Sequence, residues 1–245
     1  MSIRISPNTI IGADGWIDPL ENWTFSSADG STGIITVPTD ATLKYQPGMR
    51  IKLTQTTVKY FIITVVTATL LTVNGGTDYT LANAAISANF YSPMKAPFGF
   101  PLDPTKWTVI TKNTADLTQA SPVSGTWYNL GSLSIILPIG VWNVDYVANA
   151  YFTIASGTQI KMGVALSTAN NTSGDGELLS YAYMQAPTGA LQMLVELAKF
   201  KVLAITTKTT YYLNESSGIA SMANIYLIDS SNGTESYIKA VNAYL

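Results

Sequence analysis

The side chains that could do chemistry in this chain are carboxylates, hydroxyls and amines, because the 245-residue sequence contains neither cysteine nor histidine. Without cysteine there is no disulfide, thiolate nucleophile or thiolate metal site, and without histidine the commonest general base and zinc ligand are missing. Calcium binding by oxygen ligands and catalysis by paired carboxylates remain. We therefore expect a protein that is not an enzyme, with no catalytic residue, no metal site and no cofactor.

One loop collects several oxygen ligands. Asp175, Gly176 and Glu177 follow the polar run 170–174. The loop lacks the EF-hand spacing of acidic residues and its final glutamate, so a solvated turn is favoured over a calcium site. The same two carboxylates are candidates for a polysaccharide depolymerase, which needs two carboxyl groups roughly 5 to 10 Å apart, a distance that the sequence does not fix.

Three carboxylates lie close to two tryptophans near the N-terminus. Asp14, Asp18 and Glu21 surround Trp16 and Trp23. Carboxylates beside aromatic rings suggest a carbohydrate site, provided that two carboxyl groups flank the sugar linkage. An N-terminal strand whose tryptophans pack on a neighbour explains the same pattern and is the favoured interpretation.

Two tyrosines occupy alternate positions just after the polar loop, at Tyr181 and Tyr183. A tyrosine offers a rigid apolar ring with a polar tip, so exposed tyrosines are suited to recognise sugars or proteins. Alternate tyrosines are also typical of core or subunit-interface packing, which is favoured. We keep Tyr181, Tyr183, Trp16 and Trp23 as candidate receptor or interface contacts.

Charge is scarce in this chain. Charged residues make up 11% of the sequence, against about 25% in an average soluble domain, and the net charge is −2. So little charge on a chain with 47% hydrophobic residues predicts a surface covered by partners, the first being another copy of the chain. Since there is no basic run, no apolar run near the roughly 20 residues that span a bilayer, and no secretory signal, we expect no nucleic acid partner, no membrane insertion and synthesis in a cytoplasm.

The elements that position these residues are predicted to be strands. Threonine, valine, isoleucine and tyrosine dominate short runs between glycine, proline, asparagine and aspartate, which predicts an all-β fold. The run 141–152 is apolar at every second position, which predicts a half-buried strand. Its predicted inward residues are Trp142, Val144, Tyr146, Ala148, Ala150 and Phe152. Further strands are predicted at 50–53, 60–66, 69–73, 160–166 and 237–245, with a turn at 74–76.

The segment 190–199 is ambiguous. It contains good helix formers with apolar residues at helical spacing. It continues directly into the β-like run 200–207, so one long strand is favoured over a short helix.

A proline-rich segment at 93–104 divides the chain. Four prolines and a glycine in this segment disfavour helix and central strand and predict a stiff connector. We therefore predict an N-terminal module at 1–92, a linker at 93–104 and a C-terminal module at 105–245.

A family resemblance rests on Tyr45–Pro101, which carries YQPGMRIKLTQ, TVKYFIITVV, LTVNGGTDYTLANAAI and then YSP to FGFP. This stretch resembles a module of minor structural, head-fibre and tail-fibre proteins of tailed bacteriophages, and with 16–38 it covers about the first 100 residues. The remainder, with GVWNV at 140–144, the run 206–213 and the terminal strand, is similar in layout to the jelly-roll heads of trimeric fibres, related in shape to C1q and tumour-necrosis-factor domains. The resemblance implies a small N-terminal β-barrel or meander followed by a C-terminal jelly-roll β-sandwich. Neither pattern brings a catalytic or metal motif.

The sequence therefore predicts a virion structural protein of fibre or decoration type. Its N-terminal module would dock onto other virion proteins, and its C-terminal module would form a homotrimer that contacts a host surface glycan or protein. A stand-alone carbohydrate-binding lectin is the alternative, and a depolymerase that uses Asp175 and Glu177 is less favoured.

Overall fold

The computed structural model describes residues 3–6, 9–154, 159–185, 191–218, 222–228 and 235–245. The all-β prediction is confirmed: 53% of the chain is strand, and the described residues form no helix of seven residues or more. None of the described helices has the length and apolar character needed to cross a membrane.

The short 3-10 helices are η1 (Ala41–Leu43), η2 (Pro104–Trp107), η3 (Leu130–Ser132) and η4 (Gly176–Leu178). The strands are β1 (Ile3–Ser6), β2 (Thr9–Ile11), β3 (Thr24–Asp29), β4 (Thr32–Thr36), β5 (Arg50–Gln55), β6 (Thr57–Val66), β7 (Leu70–Asn74), β8 (Ser87–Ser92), β9 (Thr108–Lys112), β10 (Leu117–Ala120), β11 (Trp127–Tyr128), β12 (Ser134–Leu137), β13 (Gly140–Ile154), β14 (Gln159–Ser167), β15 (Leu179–Gln185), β16 (Leu191–Ile205), β17 (Thr209–Ser217), β18 (Met222–Leu227) and β19 (Tyr237–Asn242).

The N-terminal residues build one antiparallel sheet with the strand order β3-β4-β7-β6-β5-β8. Its β5-β6-β7 part is the meander predicted from the sequence. Strand β7 ends at Asn74, and the following turn places Gly76 at φ 63°, as its glycine content predicts. One face of the sheet is covered by a hydrophobic core that includes Trp23, Ile35, Tyr45, Ile51, Leu53, Phe61, Ile63, Leu71 and Val73.

The C-terminal residues build a jelly roll. One sheet has the order β9-β19-β13-β16 and the other β12-β17-β14-β15. When these eight strands are numbered along the chain, the orders are 1-8-3-6 and 2-7-4-5, the double Greek key of a jelly-roll sandwich. Strands β10 and β18 extend the first sheet, and β11 extends the second. The predicted jelly-roll β-sandwich is therefore confirmed.

Strand β13 is the centre of the first sheet. All six side chains predicted to face inward are buried, with at most 1% exposure. They pack with Met162, Val164 and Leu166 of the opposite sheet. The polar atoms of two large inward side chains are hydrogen-bonded. The Trp142 indole N–H donates to the Pro138 carbonyl at 2.8 Å, and the Tyr146 hydroxyl donates to the Val164 carbonyl at 3.0 Å.

The ambiguous segment is a strand. Strand β16 pairs antiparallel with β13 from Ile205 opposite Gly140 to Leu191 opposite Ile154. Helix propensity differs little between residue types, so a continuous ladder beside β13 outweighs it. The preference for a strand is confirmed.

The proline-rich segment lies against both halves of the chain. Phe100 is buried and stacks on Trp107, with ring centroids 5.2 Å apart. The buried Arg50 guanidinium lies 4.9 Å from the Phe100 ring and donates to the Lys95 and Tyr244 carbonyls at 3.0 and 2.9 Å. The segment 93–104 is therefore packed at a junction, and the division into two modules stays a prediction.

Candidate functional site

Tyr181 and Tyr183 share the outward face of β15, because side chains alternate between the two faces of a strand and these tyrosines are two positions apart. Their exposures are 40% and 60%, and their ring centroids are 6.2 Å apart. The intervening Ala182 packs on the jelly-roll core. The two tyrosines are thus surface residues of the C-terminal module.

A lysine that the sequence analysis did not single out completes this aromatic surface. Lys161 of β14 lies directly opposite Tyr183 in the ladder. Its ammonium lies 4.0 Å from the Tyr181 ring centroid and 5.7 Å from that of Tyr183. In the described part of the chain no carboxylate lies within ion-pair distance of this ammonium.

Trp127 of β11 is the fourth member of the group. It lies over Gly163, where an added Cβ would come within 2.9 Å of the Trp127 ring and 2.6 Å of the Tyr181 ring. A shallow depression of about 130 Å³ opens beside it, lined by Gly125, Trp127, Lys161, Gly163, Tyr181, Ser216 and Gly218. We call Trp127, Lys161, Tyr181 and Tyr183 the aromatic patch.

Part of this patch had a signal in the sequence. The predicted strand 160–166 has apolar residues at Met162, Val164 and Leu166, so Lys161 and Gly163 are expected on its outward face. Trp127 had no such signal, because β11 meets β14 only through β17.

The outward face of the other sheet carries several exposed apolar side chains. The β16 side chains Leu194, Phe200 and Val202, with Ile110 of β9, are between 45% and 61% exposed. Their outward direction follows from the register. Their partners on β13 and β19 alternate with the buried residues of those strands and so lie on the outward face of the sheet. The rings of Tyr151 and Tyr226 add an edge-to-face pair with centroids 5.2 Å apart. We call these six residues the apolar face.

Strand β16 also has an open edge. Within the described residues it pairs only with β13, so the backbone groups on its other edge have no strand partner. Unpaired edges with apolar side chains tend to associate with other chains.

Trp16 and Trp23 are buried, at 3% and 2% exposure, in place of the surface contacts predicted for them. Neither lies on a regular strand, and Trp23 packs edge-on against Tyr45 with centroids 5.9 Å apart. The Glu21 carboxylate accepts hydrogen bonds from Tyr45 and from the indole N–H of Trp23. Burial works to raise the pKa of Glu21, but the hydrogen bonds outweigh it and lower the pKa, so this carboxylate is a charged structural acceptor.

The edge of Trp16 lines a separate depression of about 320 Å³. There the Lys52 ammonium lies 4.8 Å from the Trp16 ring, 4.6 Å from the Phe90 ring and 3.8 Å from Asp14. The Asp14 carboxylate also accepts from the backbone N–H of Trp16 at 3.2 Å. Little of the Trp16 ring is therefore available to stack on a sugar, and the cation in this depression is already paired with Asp14.

Asp175 and Glu177 are held together by one lysine. The Lys201 ammonium of β16 lies 2.6 Å from Asp175 and 2.5 Å from Glu177. The hydrogen bond from Lys201 lowers the pKa of Asp175, whereas a general acid needs a raised pKa. Among the described residues no cluster of three acidic side chains could hold a metal ion.

Glu215 of β17 is fully buried between the sheets. Neither of its carboxylate oxygens has a hydrogen-bond partner in the described structure. Burial raises the pKa of this carboxyl to about 8, so it is protonated at neutral pH. No pattern in the sequence marks this residue as a functional candidate.

No family model matches the chain, and no curated protein is significantly similar to it. Among solved structures, the chain is similar to one in the structure of the infectious bursal disease virus Gx strain, with 11% identity, 87% of this chain and 48% of that chain covered, and a TM-score of 0.28. It is also similar to one in the crystal structure of the T13 particle of the same virus, with 13% identity, 92% and 75% coverage and a TM-score of 0.23. The chain spans about half the length of the first of these. Both are structures of virus particles, and similarity at this level assigns no function.

Proposed function

We propose that this protein is a structural component of a virus particle that assembles into a homotrimer through the apolar face of its jelly roll. The observation that carries the proposal is the combination, on one strand, of exposed apolar side chains and an open edge. The resemblance of Tyr45–Pro101 to tailed-phage structural modules supports a fibre or decoration protein.

The apolar face is costly to leave in water. Apolar surface gains about 25 cal/mol for each Å² that is buried, and apolar patches of more than a few hundred Å² are rare on monomers. Only 11% of the residues are charged, so little repulsion opposes contact between copies. Another copy of the chain is the occupant that the proposal requires.

Two ion pairs lie on this face, whereas Glu196 of β16 is exposed on it without an ion-pair partner among the described residues. Lys239 lies 3.3 Å from Asp145, and Lys112 lies 2.6 Å from Glu235. Both lysines point outward beside the apolar residues. Because these charges are paired before assembly, burying them leaves no isolated charge from the two pairs, and the proposed interface has to leave Glu196 at its solvated rim or pair it with a neighbouring copy.

The two sheets of a sandwich face opposite directions. When the apolar face is covered by neighbouring copies, the aromatic patch on the other sheet stays accessible. We assign host-surface contact to that side of the jelly roll. The N-terminal module is then the part available for docking onto other virion proteins.

Paired substitutions test the interface. Val202 on the apolar face and Ile136 of β12 are equally exposed, at 51%. We expect Val202→Glu to dissociate the oligomer at micromolar concentration because it places a charge in a closed interface. Ile136→Glu should leave the oligomer intact. Sedimentation velocity measures both, and equal behaviour of the two variants would contradict the assigned interface.

A stand-alone lectin is the second candidate, because the aromatic patch would serve a monomer equally well. It requires sugar binding by a monomeric chain. A depolymerase is not supported by the position of Lys201 between Asp175 and Glu177. We therefore propose a non-enzymatic role that needs no metal.

A further inference from the structure

We propose that Trp127, Lys161, Tyr181 and Tyr183 form a binding site for an acidic sugar polymer. The inference deepens the host-surface part of the proposed function and rests on it. The chemistry of the patch defines the ligand class: aromatic faces suit the apolar side of a sugar ring, and one ammonium suits its acid group.

The aromatic contribution comes from rings held in defined positions. Tyr183 is 60% exposed, and Tyr181 lies across the backbone of Gly163 together with Trp127. Tyrosine and tryptophan lose little conformational entropy on binding and combine an apolar face with a polar tip. Rings of this kind suit the C–H face and the hydroxyl groups of a sugar.

The charge contribution comes from Lys161. Its ammonium is held 4.0 Å from the Tyr181 ring centroid, and no carboxylate in the described part of the chain neutralises it. Lys201, Lys239 and Lys112, by contrast, each have an acidic partner. A carboxylate or phosphate on the ligand would gain a charge-assisted hydrogen bond from this positioned cation.

The size of the depression indicates a polymer. At about 130 Å³ it is smaller than the roughly 300 to 1,000 Å³ of a pocket that encloses a small molecule. It accepts one edge of a sugar unit, so each site binds weakly. A homotrimer presents three such sites, and a long polymer engages them together with a higher effective concentration.

The test uses the full chain on immobilised polygalacturonate and polysialic acid, with methyl-esterified polygalacturonate as the uncharged counterpart. We expect binding to at least one acidic polymer and at least tenfold weaker binding to the uncharged one. Lys161→Gln and Tyr183→Ala should each weaken binding at least tenfold. The control is Lys59→Gln, which removes one positive charge from β6 of the N-terminal module, where the ammonium donates to the Thr80 carbonyl.

Sedimentation of the same variants separates this inference from the proposed function. Trimers that lose polymer binding on Lys161→Gln and Tyr183→Ala, but keep it on Lys59→Gln, support the site. Trimers that bind none of the acidic polymers at millimolar sugar concentration overturn the site and leave assembly standing. Equal binding of the charged and methyl-esterified polymers overturns the role of Lys161.

Discussion

At the scale of single residues, the core of the jelly roll contains a carboxyl group that accepts no hydrogen bond from the described residues. Glu215 shares the inward side of β17 with Leu213, and burial raises its pKa to about 8. A neutral carboxyl is tolerated there, whereas a charged one would have no compensating group among the described residues. The stability of the fold should therefore depend on the proton held by this residue.

The sign of that dependence follows from the two pKa values. The folded-state pKa of Glu215, about 8, lies above its ordinary value of 4.5, so the stabilising contribution is complete below about pH 4.5 and is lost as pH rises to about 8. Glu215→Gln stays neutral in both states. We expect the free energy of unfolding of the variant not to decline between pH 4.5 and 8. At pH 8 it should exceed that of the parent by several kcal/mol, since each pKa unit is worth about 1.4 kcal/mol.

Urea unfolding at a series of pH values measures this difference. Comparing variant with parent removes the contribution of every other titrating group. Parallel pH profiles for the two proteins would contradict the assignment of a buried, protonated Glu215.

Residue identity alone predicts the exposure of some candidate residues and misses the burial of others. Tyr181 and Tyr183 were predicted as candidate contacts and are exposed. Trp16 and Trp23 have the same aromatic character but are buried, because the chain wraps them with Glu21 and Tyr45 in contacts that span distant sequence positions. The burial of Glu215 depends on which face of β17 meets the other sheet, and its polar neighbours in the sequence do not reveal that face.

At the scale of elements, the two halves of the chain meet at the turn after β7. The backbone N–H of Thr77 donates to the Lys106 carbonyl of η2 at 2.7 Å. Gly76 has φ 63°, and an added Cβ would come within 2.1 Å of the same carbonyl. The turn and the 3-10 helix therefore fit together only with glycine at this position.

Alanine substitution at two glycines tests this junction. Gly30 has a similar φ of 60°, but open space surrounds its Cβ position. Gly30→Ala should cost only the left-handed backbone penalty of about 1–2 kcal/mol, whereas Gly76→Ala should cost about 3 kcal/mol or more because a backbone contact must also separate. Thermal and urea unfolding measure the loss of stability in each variant. Equal losses would show that Gly76 does not mediate a tight junction.

Strand periodicity is the part of the fold that the sequence predicts best. The alternation in 141–152 identifies β13 and its buried face because a strand with one buried face must alternate. The pairing of β13 with β16 is not predicted by that pattern, since register between distant segments is set by the tertiary fold. The jelly-roll order was therefore expected from a resemblance in layout rather than from periodicity.

At the scale of the whole molecule, the jelly roll presents an apolar face on one sheet and an aromatic, cationic patch on the other. The first suits permanent contact with copies of the same chain, and the second suits contact with a ligand. Both surfaces are required by the proposed role, which combines assembly with contact to a host surface. Assembly through the apolar face is the central claim, because the arrangement of the other surfaces follows from it.

Sedimentation equilibrium of the unmodified chain at low micromolar concentration tests that claim most directly. A homotrimer is expected to sediment as a single species of three times the 26.3 kDa chain mass, which dilution does not convert into folded monomers. Its melting temperature should rise with protomer concentration. A single species near 26.3 kDa with a concentration-independent melt would contradict assembly through the apolar face and favour the monomeric lectin.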